Sequence, residues 1–503
     1  MAEKVPNRFN LVDEKWIPIA NEGLASLADI FTQTHFTALG GNPIQKISVT
    51  KLLMAIAQAA YTPEDDDDWK RLGSKGMAVK ALAYLEEKKD FFWLYGEKPF
   101  LQMPSITKAF KQSFGAVSAS VATGNTTVLL QTQIERTLTE AEKALLIVEL
   151  GNFALGGKKT DNSVVLSPGY TGKSNDKGKP GTGKQGPALG FMGFLHNFLV
   201  GSTMLESLWL NVLTKEQIIS TPHLTNGVGV APWEKMPVGE DCDKARELKT
   251  TYLGRLVPLC RFTLLADDGL HYSEGLSYPG YAQGGFDLST GVDFSGTKAR
   301  ALWVDTEKRP WRQLTSLLAF LAKSRGFDCY QLRFGLPRAR GAVHTIGVWS
   351  GGLSVSSNAG EQYASGTDDF VESEFSIETS WLGETWFLRL KAEMTIVEEL
   401  AKNVYGCTMG FFKQQLTEGK DQAAQAGNLF WQLAEHHFQA LINACGNNTS
   451  EAMRPLFAQV ALKAYDTYCP KDTARQLDAW AASRPRLGKY FNTKNDLQPS
   501  TNS

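Results

Sequence analysis

The chain has 503 residues, 43% hydrophobic and 21% charged, which is enough apolar material for a large core divided over more than one domain. With 52 Lys and Arg against 53 Asp and Glu, a formal net charge of -1 excludes a global positive field that would draw the whole protein to nucleic acid, so any such binding falls to local patches. The N-terminal residues lack an apolar signal-like core and no run of about 18 apolar residues occurs, so a cytoplasmic protein without membrane spans is expected.

Asn10 to Ile19 reads as a strand stopped by Pro18, and Leu24 to Phe31 as a short helix or turn. Ser48 to Ala60 has apolar residues at helical spacing behind a Ser48 cap. The acidic run Glu64 to Asp68 suits the first turn of the next helix, where carboxylates meet the positive end of the dipole. Phe91 to Phe100 is an aromatic cluster expected in the core. Ser118 to Gln133 is small and polar, a loop long enough to suggest function, and Thr139 with Glu142 forms a capping box that opens a helix running to Leu150.

Gly156 to Gly190 holds nine glycines and six lysines against Asp161 and Asp176 alone. A backbone free of side-chain bulk lets N–H groups approach phosphate while lysines supply counter-charge, so this is the expected phosphate-binding region. Within it, Gly178 to Gln185 misses the nucleotide-binding pattern GxxxxGK[ST] by one residue: Gln185 replaces the hydroxyl that ligates magnesium, and no hydrophobic strand precedes it. A nucleotide-dependent enzyme stays an alternative on that motif, as does an inert scaffold.

Leu189 to Leu213 reads as an apolar helix-like run. Arg255 to Leu265 and His271 to Tyr281 read as strands and turns, Pro310 to Leu321 as a helix, and Tyr330 to Phe334 and Val343 to Trp349 as strands. Val348 to Val355 enters a tight turn of small residues, Ser356, Ser357, Asn358, Ala359 and Gly360, a tip slim enough to enter a groove or part stacked bases. Beyond it come four amphipathic helices, Trp381 to Leu416, Gln422 to Cys445, Ser450 to Tyr468 and Thr473 to Ser483. The expected fold class is therefore α+β: a large mixed α/β N-terminal domain over 1–375, then a C-terminal four-helix bundle over 376–503. Six scattered cysteines without a CxxC pair, adjacent His436 and His437, and the lack of HExxH give no reason to expect a metal or other cofactor.

Taken in order, NLVDEKWIPI, EKPFLQM (Glu97 to Met103), TGNTTVLLQ (Thr123 to Gln131), LWLNVLT (Leu208 to Thr214), GGLSVSSNAGEQ and TDDFVESE resemble the CasA family, the large subunit of the type I-E CRISPR complex Cascade. The resemblance covers nearly the whole chain and implies a non-catalytic protein. It implies double-stranded target DNA as a partner at the protospacer-adjacent motif (PAM), the guide RNA 5′ handle, other Cascade subunits and a separate helicase-nuclease. By position it makes Ser356, Ser357, Asn358, Ala359 and Gly360 the wedge that enters the duplex, with Ser357 or Asn358 at its tip. Asn125, Thr126 and Thr127 fall in the loop that reaches toward the handle, and Gly156, Gly157, Lys158 and Lys159 begin the glycine loop of the minor groove, for which 181–186 is a second candidate. The segment matching the lysine finger of some relatives, His271 to Tyr281, contains no lysine.

Overall fold

A computed structural model of the chain describes residues 6–118, 136–153, 155, 193–280, 285–323, 326–358, 361–363 and 369–491. Two units emerge, one formed by Met1–Pro310 with Gly326–Glu374 and the other by Trp311–Arg325 with Phe375–Ser503.

The first unit begins with β1 (Arg8–Asn10), β2 (Ile17–Ile19) and β3 (Gly23–Ala25). The expected single strand from Asn10 to Ile19 is thus two, and Pro18 sits inside β2, which pairs antiparallel with β3. A Ser26 capping box opens α1 (Leu27–Thr32). Helix α2 (Pro43–Ala60) starts five residues before the expected Ser48 cap, because Asn42 and Gln45 form a capping box and Pro43 occupies the first turn. Ser48 instead lies buried within it, its hydroxyl donating to the Ile44 carbonyl at 2.8 Å. Asp65 caps α3 (Asp66–Glu87), with Asp66, Asp67 and Asp68 in its first turn as their charge favours. The aromatic segment yields β4 (Trp93–Tyr95), which pairs with β1, while Phe92 and Phe100 are buried and stacked at 5.2 Å.

Next come β5 (Lys111–Gln112), α4 (Phe114–Val117) and α5 (Glu140–Asn152), the last capped by Thr139 and Glu142 as expected. The run 189–213 is not one helix: it contains β6 (His196–Val200) and α6 (Met204–Asn211). A strand buried on both faces shows no alternation, so periodicity alone does not separate it from a buried helix. Trp69 and Trp209 lock α3 to α6, their rings stacked at 4.1 Å and each indole N–H donating to the other's carbonyl.

Strands β7 (Arg261–Ala266) and β8 (Gly269–Glu274) form an antiparallel pair that β5 joins. The short pair β9 (Val292–Asp293) and β10 (Arg300–Ala301) follows. Tyr330 to Phe334, expected as a strand, belongs to α7 (Tyr330–Ala339), where Leu332 and Leu336 bury themselves one turn apart. A three-stranded sheet has the order β14, β11, β6, built on β11 (Thr345–Leu353) and β14 (Phe370–Glu378). Between them lie β12 (Ser356–Asn358) and β13 (Glu361–Tyr363).

The second unit is helical. Helix α8 (Glu384–Gln414) packs against α9 (Lys420–Glu435), α11 (Arg454–Tyr468) and α12 (Ala474–Ser483), with α10 (Phe438–Gly446) continuing α9 after a break at His436 and His437. Trp311–Arg325 belongs to this unit: the Trp311 ring lies 4.7 Å from Phe438 and 5.7 Å from Trp431. The bundle therefore recruits a segment from the middle of the chain that a boundary at 375 does not include. Pro310–Gln313 and Ala319–Ala322 are 3-10 turns flanking one α turn, not the single helix expected there. Among the described residues no helix is long and apolar enough to cross a membrane.

Candidate nucleic-acid interface

Strand β11 runs into the hairpin as the sequence suggests. The Ser354 N–H donates to the Asp369 carbonyl at 3.0 Å, closing the base, and Ser356, Ser357 and Asn358 pair with Tyr363, Gln362 and Glu361. That register leaves Ala359 and Gly360 as the two-residue connection, both outside the described residues. Ser357 and Asn358 are therefore strand residues beside the tip, not the tip itself.

Asn125, Thr126 and Thr127, and Gly156, Gly157, Lys158 and Lys159, also lie outside the described residues, as do 178–186. Their roots are described, and the roots share one neighbourhood of the first unit.

The Gly/Lys segment leaves after α5. The Phe153 ring meets His196 edge-on at 5.3 Å, and the Leu155 carbonyl accepts from Arg261 Nη2 at 2.8 Å. The chain returns at Gly193, whose φ of +98° is one that side-chain-bearing residues rarely adopt. A Cβ there would lie 2.8 Å from Val355 Cγ2 and 3.0 Å from the Trp303 ring. Val355 immediately precedes the hairpin, so the first described residue after the lysine segment lies beside the base of the expected wedge. Gly352 makes a second close approach, since a Cβ on it would lie 2.6 Å from Val304 Cγ2 and 2.7 Å from the Phe194 carbonyl oxygen. The glycine interruption in β11 thus admits the chain that returns from the segment.

The loop containing Asn125 is rooted in a hydrophobic cluster of Phe114, Leu146, Leu150, Leu270 and Tyr272, with Val117 and Leu138 packed against it. Arg261 joins this root to the other one. Fully buried, it donates from Nε to the Tyr272 hydroxyl at 2.7 Å, ion-pairs with Glu274, and holds the Leu155 carbonyl. Burial works against the charge, but Tyr272 and Glu274 outweigh it and the guanidinium titrates above its ordinary value.

A buried polar group sits beneath β6. Lys51 Nζ lies 2.5 Å from Asp287 Oδ2, Ser289 donates its N–H and hydroxyl to Asp287 Oδ1, and His196 Nδ1 lies 2.8 Å from Ser289 Oγ. Burial pushes the His196 imidazole down to about 4, keeping it neutral. Burial also works to raise Asp287, yet Lys51 and His196 hold it at about 2. Among the described residues no cluster of three His, Cys, Asp or Glu is placed to bind an ion.

The family model described as CRISPR-associated protein Cse1 matches residues 10–468.

The chain belongs to the Cse1 family.

The CasA/Cse1 protein of Thermus thermophilus is 29% identical over 166 residues, so the match takes in 30% of this chain and spans only 32% of that relative's length. The crystal structure of Thermobifida fusca Cse1 is similar with a TM-score of 0.72 at 18% identity, covering 96% of this chain and 95% of that one. A chain from a structure described as a CRISPR RNA-guided surveillance complex gives 0.66 at 16% identity, covering 97% and 100%. At such identities the structural likeness is one of Cse1 fold. The α+β class expected from the sequence is the class of these Cse1 structures.

Sequence reasoning missed Arg261, Gly193 and Trp303 in this Cse1-family chain. An arginine opening a strand, a glycine next to many others and a tryptophan in a short apolar run carry no local sign of their role. Only tertiary proximity reveals it.

Proposed function

We propose that this Cse1-family chain is the non-catalytic large subunit of a type I-E CRISPR RNA-guided surveillance complex. It reads the PAM in duplex DNA, wedges the strands apart to start R-loop formation and helps recruit the helicase-nuclease, with the Asn125 loop directed to the guide RNA 5′ handle. The observation that carries this reading is the contact of Gly193 with Val355, which ties the root of a lysine-rich segment to the base of a slim hairpin. The surveillance complex that contains a similar fold supports it.

The chemistry suits the task. Lysines on a glycine-rich backbone contact phosphates and the minor groove, which offers a degenerate pattern and permits only tolerant readout. Inserting a small polar hairpin costs a few kcal/mol of unstacking per step, offset as guide and target strand pair.

The test replaces 356–360 by a Gly/Ser linker in the full chain, assembles it with guide RNA and partner subunits, and follows duplex opening with a fluorescent base beside the PAM. Opening should be lost while assembly persists. Opening at the parental rate would refute the wedge.

A further inference from the structure

On one face of the β14, β11, β6 sheet the first unit has a cleft of about 350 Å³. Phe198, Val200 and Trp349 lie along the sheet side, while Leu53 of α2 and Met204 and Leu208 of α6 form apolar walls. Thr37 and Ala38 are exposed at its margin. The volume lies at the small end of the range for ligand sites and suits one large side chain with the backbone that carries it.

Its polar groups are one-sided. Lys46, Glu372 and Glu374 line the cleft, so two carboxylates face one ammonium. Lys46 Nζ pairs with Glu372 Oε2 at 2.7 Å, and the Trp349 indole N–H donates to that same oxygen at 3.1 Å. Burial pushes the Glu374 carboxyl up, Lys46 opposes this and Glu372 adds to it, and the Ser373 hydroxyl, buried in the same lining, has no hydrogen-bond partner among the described residues. An apolar slot with a surplus negative charge repels phosphate and favours a cation placed next to a hydrophobic group.

We infer that this cleft docks a partner protein, accepting a large apolar side chain whose sequence neighbour is a lysine or arginine that pairs with Glu374. None of the expected DNA-reading residues lines the cleft, and the inference rests on the assembly part of the proposed function. The apolar anchor supplies the affinity and the Glu374 contact selects the segment.

Two variants of the full chain test it, each assembled with guide RNA and the partner subunits and titrated by fluorescence anisotropy. Thr50→Trp fills the cleft from a half-buried position on α2, and Glu374→Lys inverts one of its two negative charges. Both should melt with the parent and join the complex at least about tenfold more weakly, the loss expected when an anchor pocket is blocked. A photo-crosslinker at Ala38 should attach to a partner peptide with Lys or Arg within two residues of an apolar anchor. Folded variants that join with parental affinity overturn the inference while leaving the assembly reading intact, as does a crosslink to nucleic acid or to a second copy of this chain. If Thr50→Trp does not fold, Glu374→Lys decides. A parental chain that fails to join the subunits at all sinks the assembly reading and this inference with it.

Discussion

Gly193 lies against Val355, so the residue at which the Gly/Lys segment returns to the fold touches the residue from which the hairpin departs. Neither the positive φ at Gly193 nor the 2.8 Å clearance to Val355 Cγ2 tolerates a side chain. Gly193→Ala should therefore cost about 1–3 kcal/mol in urea unfolding, the range for a side chain forced into a sparsely populated backbone region. It should also slow duplex opening by displacing the hairpin base. Adding Val355→Ala removes the nearer obstruction, so the double variant should recover part of the loss, a coupling of roughly 0.5 kcal/mol or more. Strict additivity would mean that the two roots are not mechanically joined.

Much of this architecture is legible because its signals are local. The Thr139 and Glu142 capping box, the acidic first turn of α3 and the strand that enters a hairpin at 356 depend on residues within one turn of each other. What escapes has a tertiary cause. β6 lies in the interior and loses its alternation, and Trp311 joins the helical unit through aromatic contacts with residues more than a hundred positions away. The candidate site divides in the same way. The hairpin is visible in sequence, although its register moves the connection to 359 and 360, whereas the buried Arg261 bridge is not visible at all.

The Lys51 and Asp287 pair is nearly inaccessible to solvent, with side chains 2% and 7% exposed. Lys51→Met should cost about 3–5 kcal/mol in urea unfolding, because it leaves a buried carboxylate without its cation. Lys51→Met with Asp287→Leu should cost less than that single change, since no isolated charge remains. The reverse order would show that the pair contributes by attraction more than its burial costs.

Two buried groups should oppose each other in the pH dependence of stability. Burial raises Glu149 from 4.5 to about 7, with Gln45 opposing, and lowers His196 from 6.5 to about 4. Glu149 contributes stability that is fully present below 4.5 and is lost as pH rises toward 7. His196 contributes stability that is fully present above 6.5 and is lost as pH falls toward 4. Each displacement amounts to about 3 kcal/mol at most. The parental profile should be nearly flat between pH 5 and 6.5, because the two slopes cancel. Glu149→Gln should make stability climb with pH across that window, and His196→Gln should make it decline. Chemical denaturation at half-unit intervals would resolve both trends, and parallel profiles for the two variants would contradict the assignment.

The helical unit has its own buried ion pair. Arg454 donates from Nε to Glu393 Oε2 at 3.0 Å and from Nη2 to Oε1 at 2.8 Å, while the Ser450 hydroxyl donates to Oε1 at 3.2 Å. Glu393 is only 5% exposed, so removing the guanidinium strands its charge. Arg454→Met should cost about 2–4 kcal/mol, below a fully enclosed pair because Arg454 itself reaches solvent. Arg454→Lys should recover little of this, since an ammonium does not reproduce the two-pronged contact. Thermal unfolding of both variants checks the order.

Salt dependence separates phosphate contacts from the rest of the DNA-binding proposal. A lysine bound to phosphate releases a counterion and adds about 0.9 to the slope of log affinity against log salt. If Lys158 and Lys159 make such contacts, replacing both by alanine in the assembled complex should reduce the magnitude of that slope by about 2, with similar weakening on PAM-bearing and PAM-lacking duplexes. Replacing 356–360 should leave the slope unchanged and abolish only the opening step, because a small polar hairpin neutralises no phosphate. An unaltered slope in the double lysine variant would move the phosphate contacts to other lysines of the segment, such as Lys179 and Lys184.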